Sequence, residues 1–389
     1  MPNTEKRLRV GCMDKAVKQG RLAVTMPRLS RYGGAESFAW RLSEALAARG
    51  HEVDFICARC ETEPPDGVNP VVLGRFGAFR LVKVLWFAFA ADRACRRGGY
   101  DLVFGMGKTL NQDILRIGGG PISKFWELSR RAWPEGFARS FKMFRRRLSP
   151  GNWAIFAIDR LRMKRTPRIV CVSHLVRDWL IEAHPFLRRE EIDVIYNRPD
   201  LERFSPVGEQ ERLRLRATAG IREDQVVVAT AATNFALKGV RHLVGMLALL
   251  PENFVLHVAG GRNPGKYERE AREFGVADRV RFLGKVDDMP AFYRAADVFI
   301  LASFYDACSN AVLEALACGC RSVSSAMNGS AYFLPQRWVF PDPADERAMA
   351  DAVARVAAEP KPGPFHWPED LSSGLEPYVE MIEAKLAEK

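Results

Sequence analysis

No stretch of this sequence is apolar for long enough to cross a bilayer as a helix. The longest run, Leu81 to Ala91, is interrupted by Lys83 and is about half the roughly 20 residues that a span needs. The first twenty residues alternate Lys, Arg, Asp and Gln with only a brief apolar stretch, so they hold no signal-peptide core and export is not expected. Low-complexity tracts are absent too, and 48% hydrophobic with 27% charged residues is the balance of a folded chain rather than a disordered one. Cysteine occurs at Cys12, Cys57, Cys60, Cys95, Cys171, Cys308, Cys318 and Cys320, mostly inside apolar runs, which suits small buried hydrophobes in a reducing compartment. Cys57 and Cys60 have the spacing of half a zinc site, but no second pair or His cluster completes four ligands. Two plain thiols at the end of a strand, in a cytoplasmic protein, are the expectation.

What is present is enough chain for two domains and an uneven charge. The 389 residues exceed one ordinary core. The net charge is +11, and residues 124–168 contribute most of it, with thirteen Lys or Arg against Glu127, Glu135 and Asp159. Phe125, Trp126, Trp133, Phe137, Phe141, Phe144, Trp153 and Phe156 interleave with those cations. Rings at headgroup depth beside cations attracted to anionic lipid describe an interfacial membrane surface. A solvated basic face with its aromatics in the core, or a nucleic-acid surface, would share the composition. The clustering of rings with charge, and the lack of a recognised nucleic-acid motif, favour the membrane and no nucleic-acid partner.

Periodicity gives strand, glycine turn, helix, strand in both halves. In the first half strands are expected at 22–26, 51–58, 100–105, 168–172 and 192–196, with a helix after Gly33-Gly34 that carries Phe38, Leu42 and Leu46 on one face and is ended by Gly50, and helices over 79–97 and 175–183. Residues 197–206, with two prolines, read as a linker. In the second half strands are expected at 226–230, 254–259, 280–283, 298–301 and 321–324, and helices at 239–250, 267–274, 289–295, 310–317 and 345–358. A final amphipathic helix is expected over 378–389. Such alternation means parallel sheets covered by helices, two domains, and a cleft between them.

Chemistry concentrates in Val298 to Cys320, where a buried strand enters a polar loop, Ser303-Phe-Tyr-Asp306-Ala-Cys-Ser-Asn310, and then a helix containing Glu314. A helix starting near Ser309 would aim free N–H groups and its positive end into the cleft, an anion site suited to a diphosphate. Asp306 would stand within reach of a sugar, and Glu314 could accept from two ribose hydroxyls. Either acid could instead be an ordinary solvated charge, but Glu314 sits among Ala311, Leu313, Leu316 and Ala317, where a carboxylate needs a partner. Lys238 before a helix, beside Asn234 and Gly239, reads as a phosphate cation or a plain surface charge. His174, after the strand 168–172, is a candidate acid, base or sugar contact, though a lone His is more often structural.

As a set these residues resemble a known family. Asp306 to Gly319, Asp-Ala-Cys-Ser-Asn-Ala-Val-Leu-Glu-Ala-Leu-Ala-Cys-Gly, is similar to the carboxylate-x7-Glu signature of the family 4 retaining glycosyltransferases of GT-B fold. Gly33-Gly34-Ala35-Glu36, Ser173 with its following helix, residues 197–206, Lys238-Gly239 and Ala296-Asp297-Val298 stand where that family's other motifs stand. The order, with the aromatic-basic insertion, most resembles the lipopolysaccharide core glucosyltransferase I group.

The resemblance implies two Rossmann-like α/β domains whose parallel sheets face across a cleft. Residues 1–198 would bind the acceptor, 199–375 the nucleotide sugar, and 376–389 would pack back on the first domain. It implies retaining transfer of a hexose from a uridine-linked diphosphate sugar to a membrane glycolipid such as lipopolysaccharide core, at the inner face of the cytoplasmic membrane. Neither metal nor further cofactor is expected, and no Asp-x-Asp pair occurs to hold one. Under the resemblance Asp306 contacts the transferred sugar, Glu314 the ribose and Lys238 the diphosphate. Gly33 and Gly34 approach phosphate and acceptor, while Asn234, Cys308, Ser309 and Asn310 border the nucleotide.

Three departures stand out. Asp306 replaces the family's usual Glu, Leu237 stands where a second cation is common, and the loop Arg116-Ile-Gly-Gly-Gly-Pro-Ile-Ser123 lacks the His or Asp that relatives place there. A non-catalytic membrane- or partner-binding protein of this fold, or a sugar-nucleotide epimerase, are the alternatives those departures leave open.

Overall fold

Two parallel sheets organise the chain. In the first, strands Arg21–Thr25, Glu52–Cys57, Val68–Val72, Leu102–Gly105, Ile114–Ile117, Arg168–Cys171 and Ile192–Val194, numbered in chain order, lie 3-2-1-4-5-6-7. In the second, Val226–Ala231, Phe254–Ala259, Val280–Gly284, Val298–Leu301, Arg321–Ser325 and Val339–Phe340 lie 3-2-1-4-5-6. Both orders reverse between strands 1 and 4, and a doubly wound sheet opens a binding crevice at that switch, beyond the strands' carboxyl ends. The computed structural model describes residues 18–389 apart from Arg262, without the side chain of Ala138; the N-terminal reading and Cys12 lie outside the described residues.

Local composition explains the register of the elements. Phe254–Ala259 and Val298–Leu301 are buried at every position, as central parallel strands covered on both faces must be, and so read as continuous apolar runs. Their side chains share one core with Leu243, Val244 and Leu247 of helix Val240–Leu247 and with Val353 and Val356 of helix Glu346–Ala358. The first domain has its own core around Leu22, Val24, Phe55 and Phe104. The last helix, Glu376–Ala387, inserts Tyr378, Val379, Ile382 and Leu386 into that core, far from its neighbours in sequence.

A third apolar cluster crosses between the domains, packing Trp179 and Leu180 of the first against Tyr305, Ala307, Cys308 and Leu313 of the second. The Tyr305 ring stacks on Trp179 at 4.8 Å and its hydroxyl donates to the Gly119 carbonyl. Ser173 Oγ donates to the Ala307 carbonyl at 2.7 Å while accepting from Val176 N as the cap of helix His174–Ala183. These contacts set the cleft that follows.

The structure differs from the sequence reading in several places, adding helix Glu209–Thr218 and strand Val339–Phe340 among others. Val68–Val72 is an added strand at the sheet edge, the position where Pro70 costs no ladder bond. Arg116 and Ile117 belong to a fully buried strand, not to a loop, so the glycine turn begins only at Gly118. The basic segment forms three helices, Ile122–Arg130, Phe137–Leu148 and Pro150–Arg165, and splits its aromatics. Phe137, Phe141, Phe144 and Trp153 are exposed, whereas Phe125 packs edge-on against Tyr305 at 5.2 Å and Trp126 against Phe156 at 5.1 Å. Among the described residues no helix is long and apolar enough to cross a membrane, and no three of His, Cys, Asp or Glu are grouped to hold a metal.

Candidate active site

Strand Val298–Leu301 delivers the chain to the loop 302–309, and buried Asn328 fixes that loop's shape. Asn328 Oδ1 accepts from Ser309 N at 3.2 Å and Ser330 N at 3.1 Å, and its Nδ2 donates to Ser324 Oγ at 2.9 Å. Asp306 is held by its backbone, its N–H donating to the Met327 carbonyl and its carbonyl accepting from Gly329 N, each at 3.0 Å. These bonds fix the backbone and leave the carboxylate to a side-chain partner. Helix Asn310–Ala317 starts after Ser309 with no side-chain cap, so its first N–H groups have no side-chain acceptor.

Lys238 approaches from the adjacent loop. Asn234 Oδ1 accepts from Leu237 N at 3.2 Å, the Asn234 carbonyl accepts from Lys238 N at 3.0 Å, and the Leu237 carbonyl accepts from Phe304 N at 3.0 Å. Gly239 follows with φ +66°, and a Cβ there would stand 2.3 Å from the Ala302 carbonyl oxygen, so only glycine lets the two loops touch. The Lys238 ammonium pairs with the Asp306 carboxylate.

Together these groups line a cavity of about 550 Å³ between the domains. Its second-domain wall carries Lys238, Asp306, Cys308, Ser309, Asn310 and Glu314, and its first-domain wall carries Gly34, Arg116 and Gly118. Glu314, half-buried, accepts from the Tyr293 hydroxyl at 2.9 Å. Burial raises its pKa above the ordinary value, the Tyr293 bond and distant Arg203 offsetting only part of that. Cys308 is buried and its thiol is pushed up to about 11 by desolvation, so it is an inert wall.

Three of the expected residues do not line this cavity. Asn234 is exposed and shapes the turn that presents Lys238. Gly33 is the residue before helix Gly34–Ala48, and Gly34 alone faces the cleft. His174 turns instead into an aromatic cluster, its Nδ1 2.9 Å from the Tyr196 hydroxyl and its ring 5.0 Å from that of Tyr332. Burial, then nearby Arg177, lowers its pKa. The glycine turn meets protein too, since a Cβ on Gly120, whose φ is +65°, would lie 2.6 Å from the Tyr305 hydroxyl.

Two families of sequence match this architecture: Glycosyltransferase Family 4 over residues 32–112 and Glycosyl transferases group 1 over residues 224–359, together more than half the chain. Both matched segments are glycosyltransferase regions, and the chain is a glycosyltransferase of this group 1 and family 4 type. Lipopolysaccharide core biosynthesis glycosyltransferase LpsE of Rhizobium meliloti is 27% identical over 183 residues, 43% of this chain and 54% of that protein. Lipopolysaccharide glucosyltransferase WaaG of Escherichia coli is 28% identical over 162 residues, 40% of this chain and 43% of that protein. The chain thus spans about half the length of these curated relatives. The crystal structure of WaaG, described as a glycosyltransferase involved in lipopolysaccharide biosynthesis, superposes with a TM-score of 0.72 and covers 94% of each chain at 19% identity, which establishes the GT-B fold.

The sequence reading missed residues on both sides of the cleft. Arg116, Asn197, Lys285 and Tyr293 all line the cavity. Arg116 stood in a stretch taken for a loop, and only the apolar pattern Ile114-Leu115-Arg116-Ile117 signals its strand. Tyr293 lies within the expected helix Met289–Ala295, but nothing local tells that its hydroxyl meets Glu314.

Proposed function

We propose that this glycosyltransferase moves a hexose from a uridine diphosphate sugar to a glycolipid acceptor at the inner face of the cytoplasmic membrane, with retention of anomeric configuration. One observation carries the reading: a single cavity is lined by the Lys238–Asp306 pair, by half-buried Glu314 and by an uncapped helix N-terminus. The diphosphate sits on the helix N-terminus, the ribose hydroxyls donate to Glu314, and the sugar lies by Asp306. As the bond to the leaving phosphate breaks, Lys238 and the helix N–H groups stabilise the charge that develops there. The acceptor hydroxyl attacks from the side the diphosphate leaves, and the departing phosphate takes its proton. No separate base is then needed, in keeping with a glycine turn where relatives place a His or Asp.

The acceptor reading rests on the exposed stripe Phe137, Phe141, Phe144 and Leu148 on one face of helix Phe137–Leu148, flanked by Arg145 and Arg147. The names of LpsE and WaaG, both tied to lipopolysaccharide, support the same acceptor class. The test is a thermal-stabilisation screen with UDP-, GDP- and ADP-sugars, because a ligand that binds only the folded state raises the midpoint. UDP-glucose or UDP-galactose should raise it most. No shift with any of them would remove the donor reading.

A further inference from the structure

Arg116 presents a charge that the protein does not balance. It lies in strand Ile114–Ile117, 4% exposed. Its partners are all uncharged: Nε donates to the Tyr378 hydroxyl at 3.1 Å, Nη2 to Asn197 Oδ1 at 2.9 Å, and the guanidinium lies 3.9 Å from the centre of the Phe38 ring. Buried Arg162 meets Asp159 at 2.9 Å and buried Arg216 meets Asp297 at 2.9 Å, while buried Arg321 is held by the backbone carbonyls of Asp297 and Glu359; of these arginines it is Arg116 that lines the cleft. Burying a cation among neutral groups is costly, and such a group persists where a ligand supplies the missing charge.

The missing charge has a place to come from. Arg116 lines the cleft cavity, and Asn197 bridges it to the second domain by donating from Nδ2 to Asn310 Oδ1 at 2.9 Å. Asn310 is the first residue of the helix whose N–H groups lack a cap. Arg116 therefore lies two hydrogen bonds from the anion site. Lys238, the cation on the other side, is already paired with Asp306, and its neighbour Leu237 is apolar.

We propose that Arg116 is the second cation of the diphosphate site, reaching across from the first domain to the phosphates held by helix Asn310–Ala317. The inference rests on the donor reading above and adds to it that both domains grip the leaving group. A guanidinium suits the task because its fixed fork bonds two phosphate oxygens at once and cannot lose its proton. The contact also gives the donor a direct hold on the first domain, so the phosphates, not the base, draw the domains together.

Calorimetric titration with inorganic pyrophosphate and, separately, with uridine tests this. In Arg116→Gln the affinity for pyrophosphate should fall about tenfold or more while that for uridine is unchanged, the loss of a charge-assisted pair. Arg116→Lys should lie between, keeping charge without the fork. Tyr378→Phe, which removes a neutral partner and leaves the cation, should bind pyrophosphate like the wild type. Unchanged pyrophosphate affinity in a variant of normal melting temperature, or an equal loss for uridine, overturns the proposal. Should Arg116→Gln fail to fold, wild-type affinity in Arg116→Lys, or a loss in Tyr378→Phe as large as in Arg116→Lys, overturns it. If pyrophosphate binding depends on Arg116 but no nucleotide sugar binds, the donor reading fails and the anion site stands.

Discussion

Lys238 and Asp306, 68 residues apart in sequence, close on each other across two loops at the lip of the cleft, Nζ against Oδ2. The pair is mostly shielded, with 18% and 14% of the two side chains exposed. The pair keeps the charge of each side chain balanced. Under the proposed function, a diphosphate takes over part of the Lys238 bond and Asp306 turns to the sugar. Lys238→Ala should therefore lower kcat by on the order of a hundredfold, as removal of one charge-stabilising donor does elsewhere. Turnover and melting temperature, measured on one sample, check this. Full activity in the variant would reduce Lys238 to a structural partner of Asp306.

Glu314 should show function opposing stability. Burial raises its pKa above the ordinary value, because the ionised carboxylate is better solvated in the unfolded chain than in the folded one. Stability it lends at low pH, where it is protonated, is lost as pH rises from the unfolded value through the raised one. Glu314→Gln removes that cost and still accepts from Tyr293, so the ligand-free melting temperature should rise. UDP affinity should fall about tenfold, since the amide has one acceptor oxygen fewer for the ribose. A lower melting temperature with unchanged UDP affinity would contradict both halves.

His257 sets an acid limit. It lies in the buried strand Phe254–Ala259, where desolvation, then Arg281 and Arg216, lower its pKa to about 4 from 6.5. The unfolded chain takes up the proton first, so the stability held above pH 6.5 drains away as pH falls toward 4, by on the order of 3 kcal/mol. His174 and His184 are shifted in the same direction and deepen the fall. Urea midpoints at pH 7.5 and 5 should differ clearly in the wild type and less in His257→Leu. An equal fall in both would clear His257.

How much of this was legible depends on where each residue's partners lie. The strands 254–259 and 298–301 and the helices 289–295 and 310–317 are read from sequence with their observed bounds, because burial on both faces or one leaves an unbroken local pattern. Asp306 and Glu314 were legible because they sit at loop and helix positions of one compact motif, and Lys238 because it stands between Asn234 and Gly239 just before a helix. Arg116 was not, since its partners Tyr378, Asn197 and Phe38 come from the last helix, the linker and the first helix. His174 looked like a cleft residue from its place after a strand, yet the side chain was claimed by Tyr196, 22 positions on, and by Tyr332.

The basic segment makes the last prediction, and the structure narrows it to particular side chains. Phe137, Phe141, Phe144 and Leu148, spaced four, three and four residues apart, form one outward stripe, 85%, 50%, 57% and 62% exposed. Arg145 and Arg147 are exposed beside it. Arg146 is different: its Nη1 donates to Ser129 Oγ at 3.0 Å and its guanidinium lies 5.6 Å from the centre of the Phe125 ring, so replacing it would loosen the helix pair rather than a lipid contact. Arg145→Ser with Arg147→Ser should therefore cut binding to anionic vesicles about thirtyfold, at about 1 kcal/mol for each basic residue near the surface. The same loss should follow from raising salt, because that attraction fades within a Debye length. Phe137→Ser with Phe141→Ser should remove the part of the binding that survives high salt. Co-sedimentation with anionic and zwitterionic vesicles at low and high salt separates the two contributions. A wild type indifferent to lipid charge would make this face a solvated one, and the acceptor would have to reach the cleft from solution while the donor site is unaffected.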